Sequence, residues 1–220
     1  MRVHMFPITL LVIMLWSSGG LAQNQQPVDK KTLKEAHNYI KLDRALYYRH
    51  RAYKLDLMFN QLDSFPQDIL RLRKLQVLKL SMNKIPQIPA EISKLGNLQH
   101  VEAARNKLET VPETFGELKH LDHFSVAHND ISELPEGFFN AKTLKTLHLA
   151  SNQLDTLQPA LGKLKQLEVL HVQDNKLKAL PASIGKLKQL RHLIAYNNQM
   201  PQVPESIGEA KRLEKLNIYH

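Results

Sequence analysis

Asparagine recurs along this chain with apolar residues at fixed distances from it. Asn60, Asn83, Asn106, Asn129, Asn152, Asn175 and Asn198 are each 23 residues apart, with no insertion between them. Five positions before them stand Leu55, Leu78, Val101, Phe124, Leu147, Leu170 and Leu193. Three before stand Leu57, Leu80, Ala103, Val126, Leu149, Val172 and Ala195, and two after stand Leu62, Ile85, Leu108, Ile131, Leu154, Leu177 and Met200. The first two columns are two residues apart, which is the period of a strand. Around Leu147 and Leu149 the apolar side chains point one way, and Thr146, His148 and Ala150 point the other. The pattern predicts one short strand per repeat, with an eighth strand carried by Leu213, Leu216 and Ile218. A single 23-residue unit cannot bury its apolar face, whereas stacked units share a continuous core.

The asparagine marks the place where each repeat leaves its strand, among backbone groups that need partners. Its amide carries two donors and an acceptor, so it can bond its own turn and the neighbouring one. Asp would lose the donors, and Leu would leave buried groups unpaired at about 1–3 kcal/mol each. This ladder is therefore expected to be structural. Proline stands in the connecting segment at Pro66, Pro89, Pro112, Pro135, Pro181 and Pro204, where a fixed φ and a missing donor suit a tight turn. One repeat has Gln158 there with Pro159 next, and another has Phe139 and Ala141 where Gly and Leu usually stand. Both departures are expected to be absorbed by local repacking.

The segment Leu144-Lys-Thr-Leu147-His-Leu149-Ala-Ser-Asn152-Gln-Leu154 resembles the leucine-rich-repeat motif L-x-x-L-x-L-x-x-N-x-L. The connecting stretch Leu180-Pro181-Ala-Ser-Ile184-Gly185-Lys-Leu187 is similar to the 23-residue class found in Ras-suppressor-like and plant intracellular Ras-group-related proteins. The resemblance covers residues 52–220. It implies an α/β fold: a curved solenoid with parallel strands on its concave face and short helical turns or loops on the convex face. It also implies that the concave face binds. Before the repeats, Leu33, Ala36 and Ile40, followed by Ala45 and Leu46, suggest one or two short amphipathic helices. Residues 23–51 are thus expected to form an N-terminal helical cap. At the other end the eighth strand has no evident polar cap, so the expectation is either a truncated chain or a raw edge that pairs with another molecule, as in self-association.

The outward columns of the concave face follow from the same register. Six positions before the asparagines lie Lys54, Val77, His100, His123, Thr146, Val169 and His192, and Lys215 continues the column in the eighth strand. Four before lie Asp56, Lys79, Glu102, Ser125, His148, His171 and Ile194, two before lie Met58, Ser81, Ala104, Ala127, Ala150, Gln173 and Tyr196, and Asn217 and Tyr219 continue these columns in the eighth strand. All three columns are expected to be exposed. The best-placed partner contacts are His100, His123, His148, His171, His192, Tyr196 and Tyr219. His100 and His123 should be neighbours at about 4.8 Å, as should His148 and His171. Imidazole can serve a metal site or a pH-dependent face. No carboxylate evidently completes a ligand set, so no metal and no cofactor are expected.

Composition narrows the functional classes. The 220 residues carry 30 Lys and Arg against 21 Asp and Glu, a formal net charge of +9, and no cysteine. Disulfides, thiolate metal sites and a cysteine nucleophile are thereby excluded. Residues 1–22 combine Arg2, an apolar run from Ile8 to Trp16, and small residues at Gly20 and Ala22, which is the pattern of a secretory signal peptide. Its removal leaves 29 basic against 21 acidic residues. An exported chain without cysteine suggests a bacterial periplasmic or secreted protein; a cytoplasmic location follows if the signal is not real.

Part of the positive charge is periodic. Lys119, Lys142, Lys165, Lys188 and Lys211 recur every 23 residues just before the strands and should line one rim, with Lys163 and Lys186 beside them. Such a strip is either a solvated edge or a surface attracting anionic glycan or membrane. No nucleic-acid recognition motif is present, and none of the nucleophile-elbow, phosphate-loop, zincin or dinucleotide signatures occurs. The sequence points to a non-catalytic scaffold for a protein partner. An adhesin or structural element using the lysine rim is the alternative, and an intracellular signalling adaptor is a third reading if the N-terminus is not a signal.

Overall fold

A computed structural model describes residues 26–219. The proposed signal peptide, residues 1–22, lies outside them. Among the described residues, nine strands form one parallel sheet in strict chain order: β1 Asn38–Tyr39, β2 Lys54–Asp56, β3 Val77–Lys79, β4 His100–Glu102, β5 His123–Ser125, β6 Thr146–His148, β7 Val169–His171, β8 His192–Ile194 and β9 Lys215–Asn217. From β2 onward each residue pairs with the one 23 positions later, as Leu55 with Leu78 and Leu147 with Leu170. The fold is an α/β leucine-rich-repeat solenoid.

From β2 onward each strand returns to the next through a five-residue 3-10 helix, from Gln67–Arg71 through Ala182–Lys186 to Glu205–Glu209. Six of these helices are preceded by the periodic prolines, whose φ lies between −64° and −72°. In the departing repeat Gln158 takes that place at φ −63°, and Pro159 begins the helix, where its missing N–H has no bond to lose.

The core lies between the sheet and the 3-10 helices. Leu78, Val101, Leu147, Leu170 and Leu193 are fully buried, and so are Leu80, Leu149 and Val172. Each such side chain contributes about 1.5–3 kcal/mol relative to exposure. In the middle of the solenoid Phe115, Phe124 and Phe138 pack in series, with ring centroids 4.7 and 5.3 Å apart. Phe139, in the glycine column, is buried as well and meets Phe138 edge-on at 5.7 Å.

Neighbouring 3-10 helices approach so closely that some positions admit no side chain. A Cβ on Gly116 would lie 2.0 Å from the Gly137 carbonyl oxygen, and one on Gly185 would lie 2.4 Å from that of Ser206.

The N-terminal segment departs from the expected amphipathic helices. Helix α1, Lys30–Glu35, buries no residue and is capped by Asp29, whose carboxylate accepts from the Lys31 and Thr32 amides at 2.9 and 3.0 Å. It ends before Ala36, and Ile40 is 66% exposed, so Leu33, Ala36 and Ile40 do not share one buried face. The extended stretch between the helices instead adds β1 to the sheet beside β2. Only α2, Leu42–Tyr47, sets a residue (Ala45) fully into the core.

Candidate functional site

The asparagine ladder sits where the strands end. Asn152 accepts at Oδ1 from the Ile131 amide of the preceding repeat (3.1 Å). Its Nδ2 donates to the carbonyls of Val126, Leu149 and Ala150 at 3.0, 3.0 and 3.3 Å. Asn83, Asn129, Asn175 and Asn198 repeat the arrangement while buried, and Asn106 does so partly buried. Asn60, in the first repeat, is exposed and donates to the Met58 carbonyl of its own turn (2.9 Å).

The residue before each asparagine is left-handed: Phe59, Met82, Arg105, His128, Ser151, Asp174 and Asn197 have φ between 52° and 61°. That conformation is unfavourable for most side chains. It is retained because it turns the backbone N–H toward the next repeat, as Ser151 N donates to the Gln173 carbonyl at 2.9 Å. The ladder thus closes over groups that would otherwise lack partners.

On the concave face the strand register builds a row of histidines. His100 pairs in register with His123 and stacks on it, with ring centroids 4.0 Å apart and planes within 4°. His148 pairs likewise with His171 at 4.3 Å and 8°. A diagonal contact joins the two pairs: His123 meets His148 edge-on at 5.4 Å. Four rings from four consecutive strands therefore form one chain. His192 stands apart on β8, facing Glu214 at 3.7 Å. Tyr196 is partly buried beyond the same strand, and Tyr219 beyond β9 is 78% exposed.

The face is less open than the sequence suggests. Ser81, Ser125, Ala150 and Ile194 lie in the outward columns yet are buried. Ser125 is paired in register with His148 and Ile194 with His171, so the larger neighbours shelter them. Ser81 is also occupied, its Oγ accepting from the Ala104 amide at 3.1 Å.

At one end of the row Glu102 joins His100. Its Oε1 lies 2.6 Å from His100 Nε2 and its Oε2 lies 3.3 Å from Lys79 Nζ. The hydrogen bond from His100, its charge, and that of Lys79 hold the Glu102 carboxyl down at about 2. Burial pushes His123 down to about 4, helped by the charges of His100 and His148. Burial does the same to His171, helped by His148, His192 and Lys215. His148 is lowered as well, first by burial. The inner part of the row is accordingly neutral near pH 7. Glu102 corrects the expectation that no carboxylate stands with the histidines. It belongs to another outward column than His100 but is two residues further along the same strand, hence on the same face. The diagonal between His123 and His148 was hidden for the same reason.

The lysine column occupies the turns that lead into the strands. Lys119, Lys142, Lys165, Lys188 and Lys211 each open such a turn and are exposed. The strip is partly neutralised: Lys188 pairs with Glu209 and Lys163 with Glu136, each at 3.0 Å. Lys165 Nζ reaches the Lys186 carbonyl at 3.5 Å. Among the described residues, no helix is long and apolar enough to cross a membrane.

Residues 50–108 match the family described as leucine rich repeat, and residues 139–220 match the leucine-rich repeat region family. No curated protein matches the sequence. A leucine-rich-repeat protein of Leptospira interrogans is similar at 24% identity and TM-score 0.57, over 84% of this chain and 70% of that one. An internalin (InlF) of Listeria monocytogenes is similar at 22% identity and TM-score 0.70, over 84% of this chain and 52% of its own. The plant peptide hormone receptor RGFR1, in complex with RGF2, is similar at 28% identity and TM-score 0.66, over 83% of this chain and 30% of the receptor. This chain thus spans about half of the internalin and under a third of the receptor. Two family matches, one sheet in 23-residue register and these neighbours agree on a leucine-rich-repeat fold.

Proposed function

We propose that this chain is an exported, non-catalytic scaffold that binds a protein or peptide on its concave face. The observation that carries the reading is the continuous row His100, His123, His148 and His171, partly exposed on four consecutive strands. Unlike the ladder asparagines, these side chains vary from repeat to repeat and satisfy no obligatory backbone group. Neutral imidazoles offer donors, acceptors and flat apolar faces together, and Tyr196 and Tyr219 extend such chemistry toward the end of the sheet. A plant receptor of the same fold is described in complex with RGF2, which supports a protein or peptide partner. Export rests on the composition of residues 1–22. Edman sequencing of the secreted or periplasmic product should begin at Gln23; an intact Met1 would instead favour the intracellular adaptor.

The exposed lysines of five successive turns favour a second reading, in which the rim holds an anionic glycan or membrane surface. Salt and substitution separate the two. With a partner captured from an envelope extract, His171→Ala combined with Tyr196→Ala should abolish binding, and added salt should weaken it little. Loss of binding at modest ionic strength with the double variant still active would move the site to the rim.

A further inference from the structure

We propose that His100, Glu102 and His123 form a binding site for one divalent transition-metal ion of the zinc class at the N-terminal end of the histidine row. Their ligand atoms all lie within 4.8 Å of one another, and all three side chains are partly buried. The spacing comes from the backbone. His100 and Glu102 are two residues apart on one strand, and His123 is the registered partner of His100 on the next. Three donors are therefore held close together by the most regular part of the fold, and partial burial leaves them limited side-chain entropy to lose on binding.

The donor chemistry selects the ion. Two imidazoles and one carboxylate suit zinc or copper, with bonds of about 2.0–2.2 Å, whereas calcium and magnesium require mostly oxygen ligands. An ion here takes the place of the proton between His100 Nε2 and Glu102 Oε1, now 2.6 Å apart. Rotation of the stacked His100 and His123 rings then brings both nitrogens to it. Three protein ligands leave a coordination position facing the concave surface, open to water or to an acceptor group of a bound molecule. One feature opposes binding: Lys79 Nζ lies 3.3 Å from Glu102 Oε2, so its cation competes for the same carboxylate.

These features predict a distinctive set of variants. Isothermal titration of the untagged chain with zinc chloride should give one ion per chain. His100→Ala, His123→Ala and Glu102→Gln should each weaken it at least tenfold. Lys79→Gln should tighten it, because a competing charge is gone. His192→Ala, four strands from β4, should leave it unchanged. Cobalt(II) should give the strong visible absorption of a four-coordinate site, lost in the same three variants. Thermal melts keep a folding defect distinct from a ligand defect, since Lys79→Gln and Glu102→Gln alter only partly exposed groups. Absence of zinc binding, or binding that survives these three substitutions, would overturn the assignment.

Discussion

The asparagine ladder and the histidine row run side by side across the same sheet, and both obey the 23-residue register. They differ in what surrounds them. Each inner ladder asparagine meets the same set of backbone groups, as Asn152 meets Ile131, Val126, Leu149 and Ala150. The row touches mainly itself: His123 stacks on His100 and meets His148 edge-on. Residues bound to an invariant backbone must be invariant among repeats. Residues bound to one another can change from strand to strand, as Thr146, Val169 and His192 do in the column of His100 and His123. Regularity therefore marks the part that holds the solenoid, and irregularity within the register marks the part free to recognise something.

The largest effect that tests this contrast is on stability. Asn152→Leu strips an acceptor from the Ile131 amide and a donor from three carbonyls. At about 1–3 kcal/mol per buried group left unpaired, urea unfolding should show a loss of several kcal/mol. Asn60→Leu, exposed at the start of the ladder, should cost far less. Equal losses at the two positions would mean that the ladder does not act through buried partners. Next in size are the close helix contacts. Gly185→Ala places a methyl 2.4 Å from the Ser206 carbonyl and should cost roughly 1–3 kcal/mol, whereas a Cβ on Gly208 meets nothing within 4 Å. Gly208→Ala should be neutral or slightly stabilising.

A smaller effect depends on pH. The folded chain holds His171 down at about 4 against an ordinary 6.5, chiefly through burial. Between those values the unfolded chain binds the proton more tightly, so this residue's contribution to stability is intact above pH 6.5 and lost as pH falls toward 4. The melting temperature should drop over that window, and His171→Asn should flatten part of the drop. An unchanged slope would mean that the imidazole is not sheltered. The smallest effect belongs to the rim. Lys142→Gln and Lys165→Gln should each shift unfolding by less than about 0.5 kcal/mol, the ordinary range for exposed positions.

Much of the fold was legible because the register allows no slippage: a residue and its partner 23 positions later must share a face. The ladder and the columns around Leu147 and Leu149 follow directly from counting. Other features do not come from a column read alone. Glu102 meets His100 along a strand, and His123 meets His148 across a diagonal, so each contact joins two columns. The left-handed backbone at Met82, Arg105 and Ser151 carries no glycine signal, because neighbouring repeats impose it. The N-terminal segment lies outside the register. Its short helices bury too little for periodicity to speak, and β1 arises from pairing with β2, not from local preference.

Covalent labelling of histidine with diethyl pyrocarbonate, with and without a captured partner, tests the division of labour most directly. His148 and His171 lie on the concave face, His120 lies beside Lys119 on the lysine rim, and His128 is exposed in the turn beyond β5. The account predicts that the partner shields His148 and His171 while His120 and His128 stay reactive. Shielding of His120 with the concave row still labelled would contradict it and place binding on the rim.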